Sequence, residues 1–288
     1  MKLEAFAKIN WSLDITGVRA DGYHLMDMVM QPVSLADDIT LIPSRKMAIT
    51  VGGLIRTRAD DSNLAYRAAC ALKTAAGISD AVQIYLHKRI PVGAGMGGGS
   101  ADAAAVLFGL NRLWHTGYSA SDLEQIGLTL GADVPFCLRG GLARTTGIGE
   151  KIENHPCKSN YWLLVFQPCR SLSTRDIFQS WQPDNAIRPD TPAVLAALEN
   201  GMPEQLASAA SNVLEPVSAR LCPEITEAKE SLLASGARAA LMTGSGSAVF
   251  GLFRSRRDAV NASEKLSTRW KHIHLCHTQT DSIRITEE

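Results

Sequence analysis

Pro91-Val-Gly-Ala-Gly-Met-Gly-Gly-Gly-Ser100-Ala-Asp-Ala-Ala-Ala105 is the stretch on which the reading of the whole chain turns. Five of the seven residues from Gly93 to Gly99 are glycine. They follow an alternating apolar segment (Val82, Ile84, Leu86) and precede an Ala-rich one with Val106, Leu110 and Trp114 on a helical stripe. Glycine permits positive φ and close backbone approach, and a helix start offers unpaired N–H groups at its positive end. Strand, glycine loop and helix in that order make an anion cradle, most often for phosphate. A Walker A loop needs Gly-Lys-Ser/Thr, and this stretch has no lysine. Gly93-x-Gly95-x-x-Gly98 matches the dinucleotide pattern, but that pattern needs an acid about 20 residues on, where Tyr118 stands. The motifs that accompany a protein-kinase loop are absent.

Outward from the loop, residues 4–15 alternate. Ala5, Ala7, Ile9, Trp11, Leu13 and Ile15 alternate with Lys8, Asn10, Ser12 and Asp14, which predicts a strand with one apolar face. Further strands are expected over 28–42, 47–51, 82–90, 161–166, 248–253 and 272–276. Helices are expected over 63–76 (N-cap Ser62 or Asp61, stop Gly77), 101–114, 224–235 and 257–268. Ser121-x-x-Glu124 reads as a capping box opening a helix that Gly131 closes. The Pro-rich stretch 183–192 interrupts regular structure. Strands and helices do not follow a strict βαβ series, so the class is α+β, with a boundary near Asn154-His155-Pro156 separating residues 1–155 from 156–288.

The 288 residues carry 29 basic and 29 acidic side chains, for a formal net charge of zero, and 45% are hydrophobic. This excludes a disordered tail protein and a dedicated nucleic-acid binder. The apolar run 161–166 is far below the roughly 18 residues of a membrane span. The N-terminus lacks a signal-peptide pattern, and the six scattered cysteines (70, 137, 157, 169, 222, 276) contain no Cys-x-x-Cys. A cytoplasmic protein with reduced thiols is expected.

The loop resembles the second motif of the GHMP kinases, the family of galactokinase, homoserine kinase and mevalonate kinase. Ala5-Phe-Ala-Lys-Ile-Asn-Trp-Ser-Leu resembles the family's N-terminal motif, and Leu241-Met-Thr-Gly-Ser-Gly-Ser-Ala-Val-Phe250 its third. Arg19-Ala-Asp-Gly-Tyr-His24 and Leu130-Gly-Ala-Asp-Val-Pro-Phe136 resemble the members that phosphorylate the 2-hydroxyl of a cytidine-diphosphate-linked methylerythritol, in the non-mevalonate route to isoprenoid precursors. The resemblance implies a two-domain fold, with an N-terminal ribosomal-protein-S5-like domain, a C-terminal ferredoxin-like α/β sandwich and the active site in the cleft between them.

It also implies roles. Pro91, Val92, Gly93, Ala94, Gly95, Met96, Gly97, Gly98, Gly99, Ser100 and Ala101 would wrap the phosphates of ATP, which brings Mg²⁺ with it. Asn63 and Lys88 would lie on the adenosine side. Asp133 would face the substrate hydroxyl as base or orienter, with Lys8 beside it. Tyr23 would stack on the cytosine and His24 bond its edge, Phe178 would stack opposite, and Thr174 and Asn10 would meet the substrate's polar groups. No protein metal ligand is assigned. Another kinase of the family, of mevalonate or homoserine type, and a non-catalytic nucleotide sensor are the competing readings. His272, His274 and Cys276 share one strand face and are competent zinc ligands, but their spacing fits no standard structural site.

Overall fold

A computed structural model describes residues 1–53, 55, 57–157, 160–183 and 187–288. The Pro-rich expectation over 183–192 falls partly on residues outside that set. β1 (Lys2–Val18), β2 (His24–Ser44), β3 (Ala48–Gly53), β4 (Ala81–Lys88), β5 (Leu142–Gly147) and β6 (Lys151–His155) build most of a seven-stranded sheet. β2 runs for 21 residues and serves two partners besides β1: residues 26–30 pair with β5 and residues 38–44 with β4. β7 (Trp162–Phe166), β8 (Ala239–Met242), β9 (Val249–Phe253) and β10 (His274–His277) form a second, antiparallel sheet in the order β10-β7-β9-β8. β11 (Ile283–Glu287) then returns to the first sheet, against β1.

The helices are α1 (Leu64–Ala76), α2 (Gly98–Leu113), α3 (Ala120–Leu128), α4 (Val134–Arg139), α5 (Thr174–Ser180), α6 (Thr191–Asn200), α7 (Leu206–Ala209), α8 (Glu215–Leu221), α9 (Glu224–Ala234) and α10 (Arg256–Leu266). Their ends follow local chemistry. Asn63, not Ser62 or Asp61, caps α1, its carbonyl accepting the Ala65 N–H, and Gly77 ends the helix at φ 64°. The capping box of α3 is Ser119 with Asp122 rather than Ser121 with Glu124, and the helix ends at Leu128, ahead of Gly131. Both serines fit the pattern; Asp122 reaches back to the Ser119 N–H and so opens the helix earlier. None of these helices is long and apolar enough to cross a membrane.

The alternation in β1 does not mark a single face. Bulges between Phe6 and Lys8 and between Asn10 and Ser12 turn the strand over twice. Ala5, Leu13 and Ile15 therefore pack with Leu72, Val106 and Leu110 of α1 and α2 in one core. Ala7, Ile9 and Trp11 pack with Leu163, Val165 and Phe250 of the second sheet and Leu198 of α6 in another. Trp11 meets Phe250 edge-on at 5.4 Å and donates its indole N–H to Gln31 at 2.9 Å. Lys8 and Asn10, opposite the flipped residues, are buried too, and Lys8 lies against the residue that opens α2.

The cysteines depart from expectation. Cys169 and Cys222 form a disulfide, with Cα atoms 6.6 Å apart and a sequence separation of 53. Only folding brings these two together: Cys169 follows β7 and Cys222 follows α8, so their spacing carries no signal. Cys276 is a buried thiol pushed up to about 12 by desolvation.

Candidate active site

The loop from Pro91 to Gly97 is shaped by alternation. Ala94 and Met96 are buried in the second core, while Gly93, Gly95 and Gly97 take positive φ. Gly95 lies directly on the 243–246 turn: a Cβ there would sit 2.1 Å from the Thr243 carbonyl oxygen. A Cβ on Gly97 would come within 3.1 Å of the Lys8 side chain, so glycine lets the helix start settle on that lysine. Gly97 is the N-cap of the 16-residue α2 and supplies no side-chain cap. The first N–H groups of α2 are thus left for a ligand, at the positive end of the helix.

Around this helix start is a cleft of about 720 Å³, lined by residues 91–100 together with Lys8, Asn10, Met28, Asn63, Asp133, Thr174, Phe178 and Ser245. Lys8 Nζ stands 3.6 Å from Asp133 Oδ2 and donates to Asn10 Oδ1 at 2.7 Å. Asp133 is the N-cap of α4 but makes no capping hydrogen bond, and its carboxylate is about one-third exposed. Val134 and Pro135 behind it are buried, which stiffens the turn that presents it. A lysine charge and a carboxylate thus face the same space as the uncapped helix end. That arrangement can neutralise a transferring phosphoryl group and orient a hydroxyl nucleophile.

Other residues named from the sequence stand differently. Asn10 Oδ1 is committed to three donors: Lys8 Nζ, the Gly244 N–H at 3.0 Å and Thr243 Oγ1 at 3.2 Å. Only its amide nitrogen, 3.4 Å from the Met28 sulfur, is left to turn toward a substrate. Asn63 caps α1 and donates to the Arg58 carbonyl at 2.7 Å, so it shapes the cleft wall. Lys88 lines the floor of the same cleft. Its ammonium lies beneath α2 between Asp37 and Asp102, and its side chain is 3% exposed. Thr174 shares a 2.8 Å hydrogen bond with Ser245 Oγ, tying α5 to the 243–246 turn. Tyr23 is 61% exposed on the 19–24 turn, beside Arg19. The rings of His24 and Phe178 lie 5.2 Å apart, with Trp181 6.0 Å from His24.

Sequence reasoning missed Asp102, Asp37, Trp181 and Ser245. Asp102 and Ser245 lie inside quoted motifs, but the Ala-rich helix and the serine-glycine alternation around them conceal any individual role. The His272, His274 and Cys276 face is not a ligand cluster among the described residues; the one such cluster is Cys169, Cys222 and Glu224, where both sulfurs are already bonded to each other.

Family models for the GHMP kinases N terminal domain and the GHMP kinases C terminal match residues 63–141 and 194–272. The chain is 41% identical over 287 residues to the 4-diphosphocytidyl-2-C-methyl-D-erythritol kinase of Alkaliphilus oremlandii (strain OhILAs), covering 98% of both proteins. The chain belongs to the GHMP kinase family. The kinase is also 36% identical to the enzyme of the same name from Clostridioides difficile (strain 630), over the whole of this chain and 98% of that one. A crystal structure of 4-(cytidine 5'-diphospho)-2C-methyl-D-erythritol kinase superposes on it with a TM-score of 0.83 at 35% identity, covering 96% of this chain and 99% of that one. Homoserine kinase from Cytophaga hutchinsonii superposes with a TM-score of 0.77 at 19% identity, which shows the shared fold alone. The two-domain α+β expectation is met: two sheets, mixed helices and the GHMP kinase fold.

Proposed function

We propose that this kinase transfers the γ-phosphoryl group of ATP to the 2-hydroxyl of 4-diphosphocytidyl-2-C-methyl-D-erythritol. The observation that carries the reading is the Lys8–Asp133 pair, 3.6 Å apart, facing the uncapped start of α2 in one cleft. Relatives that bear the name of this activity, 36–43% identical over most of their length, support the substrate. In this reading the loop holds the triphosphate on backbone N–H groups. Lys8 offsets the charge spread over the transferring group, and Asp133 accepts or directs the hydroxyl proton. Asn10 keeps Lys8 in place.

Mg²⁺ enters as the companion of ATP. The cleft offers it the Ser100 hydroxyl, which lies 3.8 Å from where a Cβ on Gly131 would stand, and the Asp133 carboxylate. One hydroxyl and one carboxylate suit an ion that takes most of its ligands from phosphates and water, and they do not make an all-protein cage. We assign the loop, Lys8 and Asp133 to an N-terminal unit of residues 1–155, and residues 156–288 to the second, with β11 completing the first sheet. The family models on either side of residue 155 support that division. The cytoplasm, where ATP is available, is the location this chemistry requires.

Cytidine would lie at the Phe178 end of the cleft, extending past its lining toward His24, whose ring is 5.2 Å from Phe178, and Tyr23 beside it in sequence. Tyr23→Ala should raise KM for the cytidyl substrate about 5- to 100-fold, the worth of one base–aromatic contact, with kcat and KM for ATP little changed. Steady-state kinetics varying each substrate in turn check this; an unaltered cytidyl KM would remove Tyr23 from the site. Given ATP and each acceptor separately, the kinase should phosphorylate the cytidyl substrate and leave mevalonate and homoserine untouched. Turnover of mevalonate alone would move it to another branch of the family. ATP binding with no product from any acceptor would make it a sensor.

A further inference from the structure

Beneath the phosphate loop is a charged cluster that takes no part in the chemistry above. Lys88, the last residue of β4, donates to Asp102 Oδ2 at 2.6 Å and to Asp37 Oδ2. The three side chains are 3%, 4% and 0% exposed. Asp37, in β2, also accepts the backbone N–H groups of Arg89 at 2.5 Å and Ile90 at 2.9 Å on its other oxygen. Asp102 belongs to the start of α2, and its Oδ1 is buried without a hydrogen-bond partner among the described residues. A Cβ on Gly98 would lie 3.4 Å from Lys88 Nζ, so the ammonium sits directly under the first turn of the helix.

The cluster therefore grips the loop at both ends. Asp37 holds residues 89 and 90, immediately before Pro91, while Lys88 holds Asp102, immediately after the N–H groups that face the cleft. Between these anchors residues 91–97 have no regular structure; their course is set at the end points, by the 243–246 turn, by the burial of Ala94 and Met96, and by the Ser171 hydroxyl and the Ala248 and Lys8 N–H groups, which donate to the carbonyls of Val92, Ala94 and Met96. Two carboxylates share one cation, so the negative charge is in surplus; burial pushes Asp102 up to about 8. What Lys88 needs from Asp102 is an oxygen that accepts, not a second full charge.

We propose that Lys88, Asp37 and Asp102 are positioning residues for the triphosphate, setting the ATP affinity of the loop by clamping its two ends. The proposal rests on ATP occupying the glycine loop, the reading given above. Buried clusters of this kind are costly to break, because the remaining charges are left unpaired in a dry environment. A hydrogen bond from the loop to a charged phosphate weakens steeply when its donor is misaligned, and its loss costs about 10- to 100-fold in affinity.

The test is steady-state kinetics on the full chain with ATP and the cytidyl substrate varied separately, beside ATP titration calorimetry. Asp102→Ala removes the acceptor and should raise KM and Kd for ATP about 10- to 100-fold, with kcat and the cytidyl KM within about threefold of the parent. Asp102→Asn keeps an acceptor oxygen and should recover ATP affinity to within about threefold of the parent. It is the informative variant if Asp102→Ala does not fold. A well-folded Asp102→Ala protein with parental ATP affinity would overturn the proposal. So would an equal rise in KM for both substrates, which marks general loosening, or an Asn variant that loses ATP affinity wholesale. If Gly97→Val, which obstructs the loop itself, left ATP binding unaffected, ATP would not be on the loop. That result overturns the underlying reading as well, and so is distinguishable from a failure of the clamp alone.

Discussion

Asp133→Asn should lower kcat by about 10²- to 10⁴-fold while leaving KM for ATP and for the cytidyl substrate within a few-fold of the parent. In activation terms this is roughly 3–5 kcal/mol lost from the transition state alone. The position is favourable for such a test. Asp133 makes no capping hydrogen bond to α4, and its ion-pair partner among the described residues is Lys8 at 3.6 Å, so Asn should leave the fold intact. An amide can still accept a hydrogen bond from the hydroxyl, but it cannot take its proton. The split between kcat and KM separates the two roles: a base loses turnover, whereas a residue that merely holds substrate loses affinity. A variant that turns over at the parental rate would strip Asp133 of its assignment.

The second large effect is structural and bears on the meeting of the two glycine turns. Gly95→Ala places a methyl group 2.1 Å from the Thr243 carbonyl oxygen and 3.1 Å from the Gly246 nitrogen, at a φ of +78°. Neither neighbour is a flexible side chain, so the loop and the 243–246 turn must separate. The left-handed backbone and the overpacking together should cost about 2–6 kcal/mol, lowering the melting temperature by on the order of 10 °C and raising KM for ATP. Gly77→Ala is the matched control. Gly77 has a similar φ of +64° but open space where the Cβ would go, and it lies at the end of α1, so only the backbone penalty of about 1–2 kcal/mol applies and kinetics should be unchanged. Differential scanning calorimetry on both variants checks the comparison. Equal losses would mean that the close approach of the two turns does not constrain the loop.

Much of the site is legible in the chain because its chemistry is local. A run of alternating glycines with Ala and Met between them specifies both a left-handed path and two buried anchors, within seven residues. Asp133 before Val-Pro specifies a presented carboxylate on a stiff turn. Lys88 shows the limit of such reading. A lysine just before a phosphate loop has the position of a nucleotide contact, and only Asp37, 51 residues earlier in the chain, converts it into a buried clamp. The pairing of Cys169 with Cys222 is hidden in the same way, by a sequence separation of 53 that only folding closes. His24 and Phe178, 154 residues apart, meet because α5 packs beside the turn that precedes β2.

The alternation in β1 states the division most clearly. From the sequence alone follow a strand, a glycine loop, a helix start open to phosphate and the family to which they point, since each depends on backbone conformations that nearby residues dictate. The tertiary structure decided which way each side chain faces. Two bulges, whose positions are set by pairing with β2, turn Ala7, Ile9 and Trp11 toward the second sheet and bring Lys8 to the carboxylate it serves. A one-residue shift in register reverses every face of a strand, and register is fixed by partners far away in the chain.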